Sequence, residues 1–199
     1  MRILPILIGA LGISMAQGGA QVPAWRTAPL PPEAERLNRT ADAAASVETA
    51  ARLYAQSLRL CASNGPALHG FGLALLEQGR ATDALKIFRR MDELFPDDAS
   101  IQMLIAHAAA RLAAPRRADI HHGLAAVQRA MNLQPDNPEA WHAQSILLHL
   151  NGDYAEASAA ARQSLVLDAR YPSDPETTAR YQQQEIACHD AHLVFSPLD

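Results

Sequence analysis

Valine is scarce in this chain of 199 residues: there are five, against forty alanines. Aromatic residues supply only 5%. Alanine is the best helix former, and strands favour the β-branched and aromatic residues missing here, so the composition points to an all-α fold. Lysine is nearly absent. Lys86 is the single one among seventeen basic residues, and the arginines are scattered. No basic stripe marks a nucleic-acid partner. Cysteine is limited to Cys61 and Cys188, far apart in sequence. Two free thiols are favoured over a bridge. There is no glycine-rich phosphate loop, no Gly-x-Ser-x-Gly, no His-Glu-x-x-His and no Cys-x-x-Cys. The nucleophilic, metal-hydrolytic and redox signatures are therefore missing, as is covalent haem attachment. The expectation is a protein without cofactor and without catalytic activity.

Long hydrophobic runs are also lacking. The one apolar stretch, residues 3–13, follows Arg2 and precedes the small residues of "SMA" and "GGA". It is shorter than the roughly 20 residues a membrane span needs. Residues 1–20 read as a secretory signal peptide, cut after Ala16 or Ala20. Export to a bacterial periplasm is the expectation, with no membrane span left after cleavage.

What the sequence does contain is a phrase written more than once. "QGRATDALKIFRRMDELFPDD" (78–98) is echoed by "NGDYAEASAAARQSLVLDA" from Asn151. Between them, "GLAAVQRAMNLQPDN" (123–137) matches "ALKIFRRMDELFPDD" (84–98) without gaps. Ala84 aligns with Gly123, Phe88 with Val127, Met91 with Ala130 and Leu94 with Leu133. Going back one period of about 34 residues brings Ala50, Tyr54, Ser57 and Leu60 into step. The small residues mark close helix contacts, and Leu75, Phe88 and Leu94 are expected to fill the space beside them. Gly79 and Gly152 should end first helices in the left-handed conformation. Asp97-Asp98 and Asn137-Pro138 supply caps for the helices that follow.

The matches in 65–98 (Phe71-Gly72, Leu75, Gly79, Ala84, Phe88, Pro96) and in 138–171 (Trp141, Leu148, Gly152, Tyr154, Ala157, Leu167) resemble tetratricopeptide repeats. The resemblance covers about 140 residues. It implies an all-α, helical-hairpin solenoid of about three repeats, with a degenerate first unit and a C-terminal capping helix. The divisions are a lead-in at 21–30 read as extended, repeats at 31–64, 65–98, 99–137 and 138–172, and a cap and tail at 173–199. Segment 31–64 lacks the glycine turn, so it is either a degenerate repeat or one long helix. In 113–119, "AAPRRAD" reads as an inserted loop before a helix starting at 123. The last helix is expected over 175–191, capped by Ser173 with Glu176, with Ala179, Ile186 and Ala187 as its apolar stripe.

In proteins that look like this one, first helices line a concave groove. Carrying those positions over gives His69, Leu73, Leu76 and Glu77, then Met103, His107, Ala110 and Arg111, then His142, Ile146, His149 and Leu150. The resemblance implies a groove for another protein or a peptide, in a scaffold or assembly factor of the bacterial cell envelope. The polar clamp of chaperone-binding relatives is missing, since the matching places hold His69, Leu73, Leu104, Glu139 and Ala143. Four of the eight histidines fall on the inner wall. They are either ordinary polar residues on a solvent-facing wall or the basis of a pH- or metal-responsive binding protein. No metal centre is assigned. Cys188, His189 and His192 are the candidates, because residues 188 and 192 share a helix face.

Overall fold

The computed structural model describes residues 22–170 and 172–195. The signal-peptide reading and the last four residues lie outside them. Every element among the described residues is helical, and the fold is a helical-hairpin solenoid. It divides into two compact units, one ending at Ile101 and the other starting at Gln102.

The first unit holds α1 (Ala24–Thr27), α2 (Pro32–Asp42), α3 (Val47–Leu60), α4 (Gly65–Glu77) and α5 (Ala81–Leu94). α2 packs on α3, α3 on α4 and α4 on α5. Segment 31–64 is thus a hairpin and not one long helix. Its turn needs no glycine, because Ser46 caps α3 by accepting the Thr49 amide at 3.2 Å. A buried polar chain ties three helices together. Asn38 Nδ2 donates to Asn64 Oδ1 at 3.1 Å, Asn64 Nδ2 to Ser57 Oγ at 2.8 Å, and Ser57 Oγ to the Ala34 carbonyl at 3.0 Å. Asn64 also caps α4 through the Ala67 amide. The lead-in departs from the expected extended form. Residues Ala24–Thr27 make one helical turn, because Trp25 is buried against α4.

The second unit holds most of α6 (Ala99–Ala110), then α7 (Arg117–Leu133), α8 (Pro138–Asn151), α9 (Tyr154–Asp168) and α10 (Pro175–Phe195). Met103, Ala106 and Ala109 of α6 share a core with Ile120, Val127, Ala130 and Leu147. α8 packs on α9, and α10 covers α9 and part of α8. α7 starts six residues before the expected position. Ile120 is drawn into that core, and Arg116 pairs with Asp119 at 2.9 Å across the first turn. Asp98 and Asn137 cap α6 and α8 as their sequence positions suggested.

The repeated small-large phrase is visible as packing. Ala50, Ala84 and Ala157 are buried, as are Tyr54, Phe88 and Val127 at the next place, and Ser57, Met91 and Ala130 at the one after. Leu94 departs from expectation. It is 40% exposed, and its counterparts Leu60 and Leu133 are more so. That place faces solvent in these three hairpins, whereas its counterpart in the last, Leu167, is buried at 4%. Gly79 and Gly152 adopt φ of 73° and 92°. Both ends close with the same pair of bonds: Arg80 N to Leu75 O with Gly79 N to Leu76 O, and Asp153 N to Leu148 O with Gly152 N to His149 O.

α10 differs from expectation in three ways. It continues to Phe195, whose ring stacks on Tyr154 at 5.1 Å. Its cap is Asp174, which accepts the Glu176 and Thr177 amides, while Ser173 donates instead to Asp168. Its buried residues are Tyr181 and Cys188, whereas Ala179, Ile186 and Ala187 face solvent.

Candidate functional site

Each unit carries one cluster built on the expected inner positions. In the second unit, His107 of α6 and Glu139 of α8 are brought together because their helices are adjacent first helices. His107 Nε2 lies 3.1 Å from Glu139 Oε1, and each side chain keeps about a fifth of its surface exposed, 17% and 19%. Tyr181 of α10 donates its hydroxyl to Glu139 Oε2 at 2.5 Å. His142 lies one turn along α8 and packs on the Tyr181 ring with centroids 4.7 Å apart. Burial alone would push the Glu139 carboxyl up. The hydrogen bonds from His107 and Tyr181 outweigh it and hold the group down at about 2. Burial lowers His142 to about 4, against the pull of Glu139. Burial, with Glu139 beside it, also raises Tyr181. The result is a carboxylate fixed in its charged form beside an imidazole fixed in its neutral form.

In the first unit, His69 of α4 stacks on Trp25 at 4.9 Å and 22°. Burial lowers its imidazole to about 4, and Arg26 adds to the effect. Trp25, Arg26, Asp42, Tyr54, His69 and Gly70 line a cleft of about 300 Å³. Asp42 accepts the Tyr54 hydroxyl there.

The other expected residues fall out differently. Glu77 and Arg111 are exposed, and Leu150 is 40% exposed. Leu73, Ala110, Ile146 and His149 are half-buried. His149 packs edge-on against Tyr154 at 5.4 Å. Three expected wall residues are buried. Met103 belongs to the α6–α8 core, Leu76 is 6% exposed within α4, and His142 is roofed by Tyr181. The inner histidines are therefore not free polar groups on a wall, since each has a ring or a carboxylate against it. No group of three or more metal-ligating side chains exists among the described residues. Cys188 is fully buried beside Ala157 and Ala161, with Gln184 Nε2 donating to its sulfur at 3.1 Å. Burial raises its thiol, and it offers no sulfur to a metal shared with His189 and His192.

The sequence reading did not single out Trp25 or Tyr181. The available signal was an isolated large ring in an otherwise small or polar stretch, "VPAWRTA" and "TARYQQQ".

A tetratricopeptide-repeat family profile matches residues 126–157, from the middle of α7 to the first turn of α9. Those residues match a tetratricopeptide repeat, and the described hairpins have the fold of tetratricopeptide-repeat proteins. Solved structures share the fold. A MamA RS-1 double mutant superposes with a TM-score of 0.61 at 13% identity, covering 82% of this chain and 98% of its own. TTC0263, a thermophilic tetratricopeptide-repeat protein of Thermus thermophilus, gives 0.58 at 19% identity, over 83% and 91%. The type III secretion translocator chaperone SycD of Yersinia enterocolitica gives 0.54 at 15% identity, over 69% and 91%. No curated protein matches the chain. At these identities the likeness concerns the repeat fold and not what the repeats hold.

Proposed function

We propose that this protein is a non-catalytic scaffold or assembly factor, exported to the periplasm, whose inner helix faces hold a protein or peptide. The observation that carries the reading is the α6–α8 pairing. Successive first helices join through His107 and Glu139, which stay partly open to solvent, with half-buried Ile146 and exposed Leu150 on α8 and exposed Arg111 just past the end of α6. A charged floor flanked by apolar side chains suits an amphipathic segment of a partner. Similarity to a secretion translocator chaperone supports a holding role. Two compact units of helical hairpins supply surface, and the catalytic sequence signatures are missing.

The test is site-specific photocrosslinking in a full chain expressed with its own leader. Probes at Arg111, Ile146 and Leu150 should give discrete adducts, and probes at Leu60 and Leu133 should not. Equal yields at both sets would overturn the reading. The mature chain should begin at Gln17 or Gln21 in a periplasmic fraction, as read by intact mass. An unprocessed cytoplasmic chain would overturn the export part.

A further inference from the structure

α1 is a single turn without a side-chain cap, too short to persist by itself. Trp25 holds it in place. The residue is 3% exposed and stacked flat on His69, which burial keeps neutral. Gly65 provides the other half of the seat. A Cβ there would lie 2.4 Å from the Trp25 carbonyl oxygen and 2.7 Å from its Cβ. The first residue of α4 is glycine because the Trp25 backbone rests on it.

The seat does not satisfy its occupant. Trp25 Nε1 is buried with no hydrogen-bond partner among the described residues. A buried donor left unmet keeps its full desolvation cost. The Arg26 guanidinium lies over the indole at 4.7 Å. The cleft beside them also contains the Asp42 carboxylate, which favours a basic neighbour for any ring in this seat. α1 joins α2 through extended backbone at Ala28 (φ −57°, ψ 132°) and Pro31 (φ −56°, ψ 136°).

We propose that the α4 face under Trp25 is a docking site for a partner segment bearing a tryptophan followed by a basic residue, with residues 24–27 as the built-in competitor. The proposal rests on the scaffold reading and names the partner chemistry of its first unit. The slot fits a tryptophan because His69 already stacks on an indole and Gly65 leaves room for the backbone that carries it. Asp42 selects the basic neighbour by charge. The unmet indole nitrogen makes the internal occupant replaceable by a segment that brings an acceptor.

The chain's own sequence supplies the probe, a labelled peptide of residues 22–30 followed by fluorescence anisotropy. The full chain carrying Trp25→Ala, with its helicity checked by circular dichroism, should bind this peptide saturably and at least tenfold more tightly than the unchanged chain. A peptide with alanine in place of its tryptophan should not bind. Adding Gly65→Ala to the Trp25→Ala chain should abolish binding. No saturable binding by a folded Trp25→Ala chain, or equal binding of the tryptophan-less peptide, overturns the proposal. If that variant does not fold, the unchanged chain labelled with 5-fluorotryptophan decides. Excess unlabelled peptide should move the ¹⁹F resonance of Trp25 toward solvent values and leave that of Trp141 in place. A Trp25 resonance unmoved at millimolar peptide overturns the proposal. These outcomes leave the crosslinks from the second unit untouched, so the docking site and the scaffold reading fail separately.

Discussion

Gly72 carries no side chain, and Phe88 occupies the room it leaves. A Cβ at this position would sit 2.2 Å from Phe88 Cε1, and one at Gly70 would sit 2.3 Å from the Tyr54 ring. α4 therefore presents one glycine to α3 and another to α5. Gly72→Ala should lower stability by about 1–3 kcal/mol in urea unfolding, because an aromatic ring packed on all sides must give way. Gly79→Ala meets nothing within 4 Å, and its cost comes from the left-handed backbone alone, about 1–2 kcal/mol. The two substitutions separate packing from conformation at neighbouring sites. Such residues were legible because small and large places recur at fixed spacing. Tyr181 was not legible. It reaches Glu139 across 42 residues from a helix outside the repeated phrase, and no periodicity encodes that pairing. Tyr181→Phe keeps the ring against His142 but leaves a partly buried carboxylate oxygen without its donor. It should cost about 1–3 kcal/mol, read in the same unfolding assay.

At the scale of elements, caps and left-handed ends could be read in advance, since Asp98, Asn137, Gly79 and Gly152 act through bonds within a few residues of themselves. Choosing the buried face of α10 was harder. Alanine is neutral toward burial, so a helix rich in small residues offers several apolar stripes. Ala179, Ile186 and Ala187 form one of them and are all exposed. What selects the buried face is the bulk of Tyr181 and the fit of Cys188 beside Ala157 and Ala161. The start of α7 was missed for a similar reason, because Ile120 joins the core from a stretch that reads as charged. The position of Cys188 makes α10 measurable. Cys61 is partly open and Cys188 is fully buried. An alkylating reagent should modify Cys61 quickly in the native protein. It should reach Cys188 only when α10 lifts or the second unit unfolds. Tyr181→Phe should accelerate Cys188 modification and leave the Cys61 rate unchanged. Equal native rates at the two thiols would contradict the placement of α10.

For the whole molecule, the fold class was readable because a repeating phrase reports a repeating unit. The protonation behaviour was not, since it depends on which side chains cover the histidines. His69 in the first unit and His142 in the second are both lowered to about 4, burial being the main cause in each. Arg26 lowers His69 further while Asp98 pulls it up. His107 and Arg180 lower His142 further while Glu139 pulls it up. An unfolded histidine takes up its proton near pH 6.5. Between about 6.5 and 4 the unfolded chain binds protons that these folded sites refuse, so stability falls with pH through that window and levels off below it. Glu139 acts in a separate window. Its folded value of about 2 lies below its ordinary 4.5, so its contribution is complete above 4.5 and is lost only as pH falls toward 2. The urea midpoint should therefore drop between pH 7 and pH 5, before any carboxylate of this cluster titrates. His142→Asn should remove part of that slope, because the second unit then has no buried imidazole to keep neutral at that place. The remaining slope should disappear on adding His69→Asn. A midpoint that is level from pH 7 to 5 in the unchanged chain would mean that water reaches both imidazoles, and that neither Trp25 nor Tyr181 covers its histidine in solution.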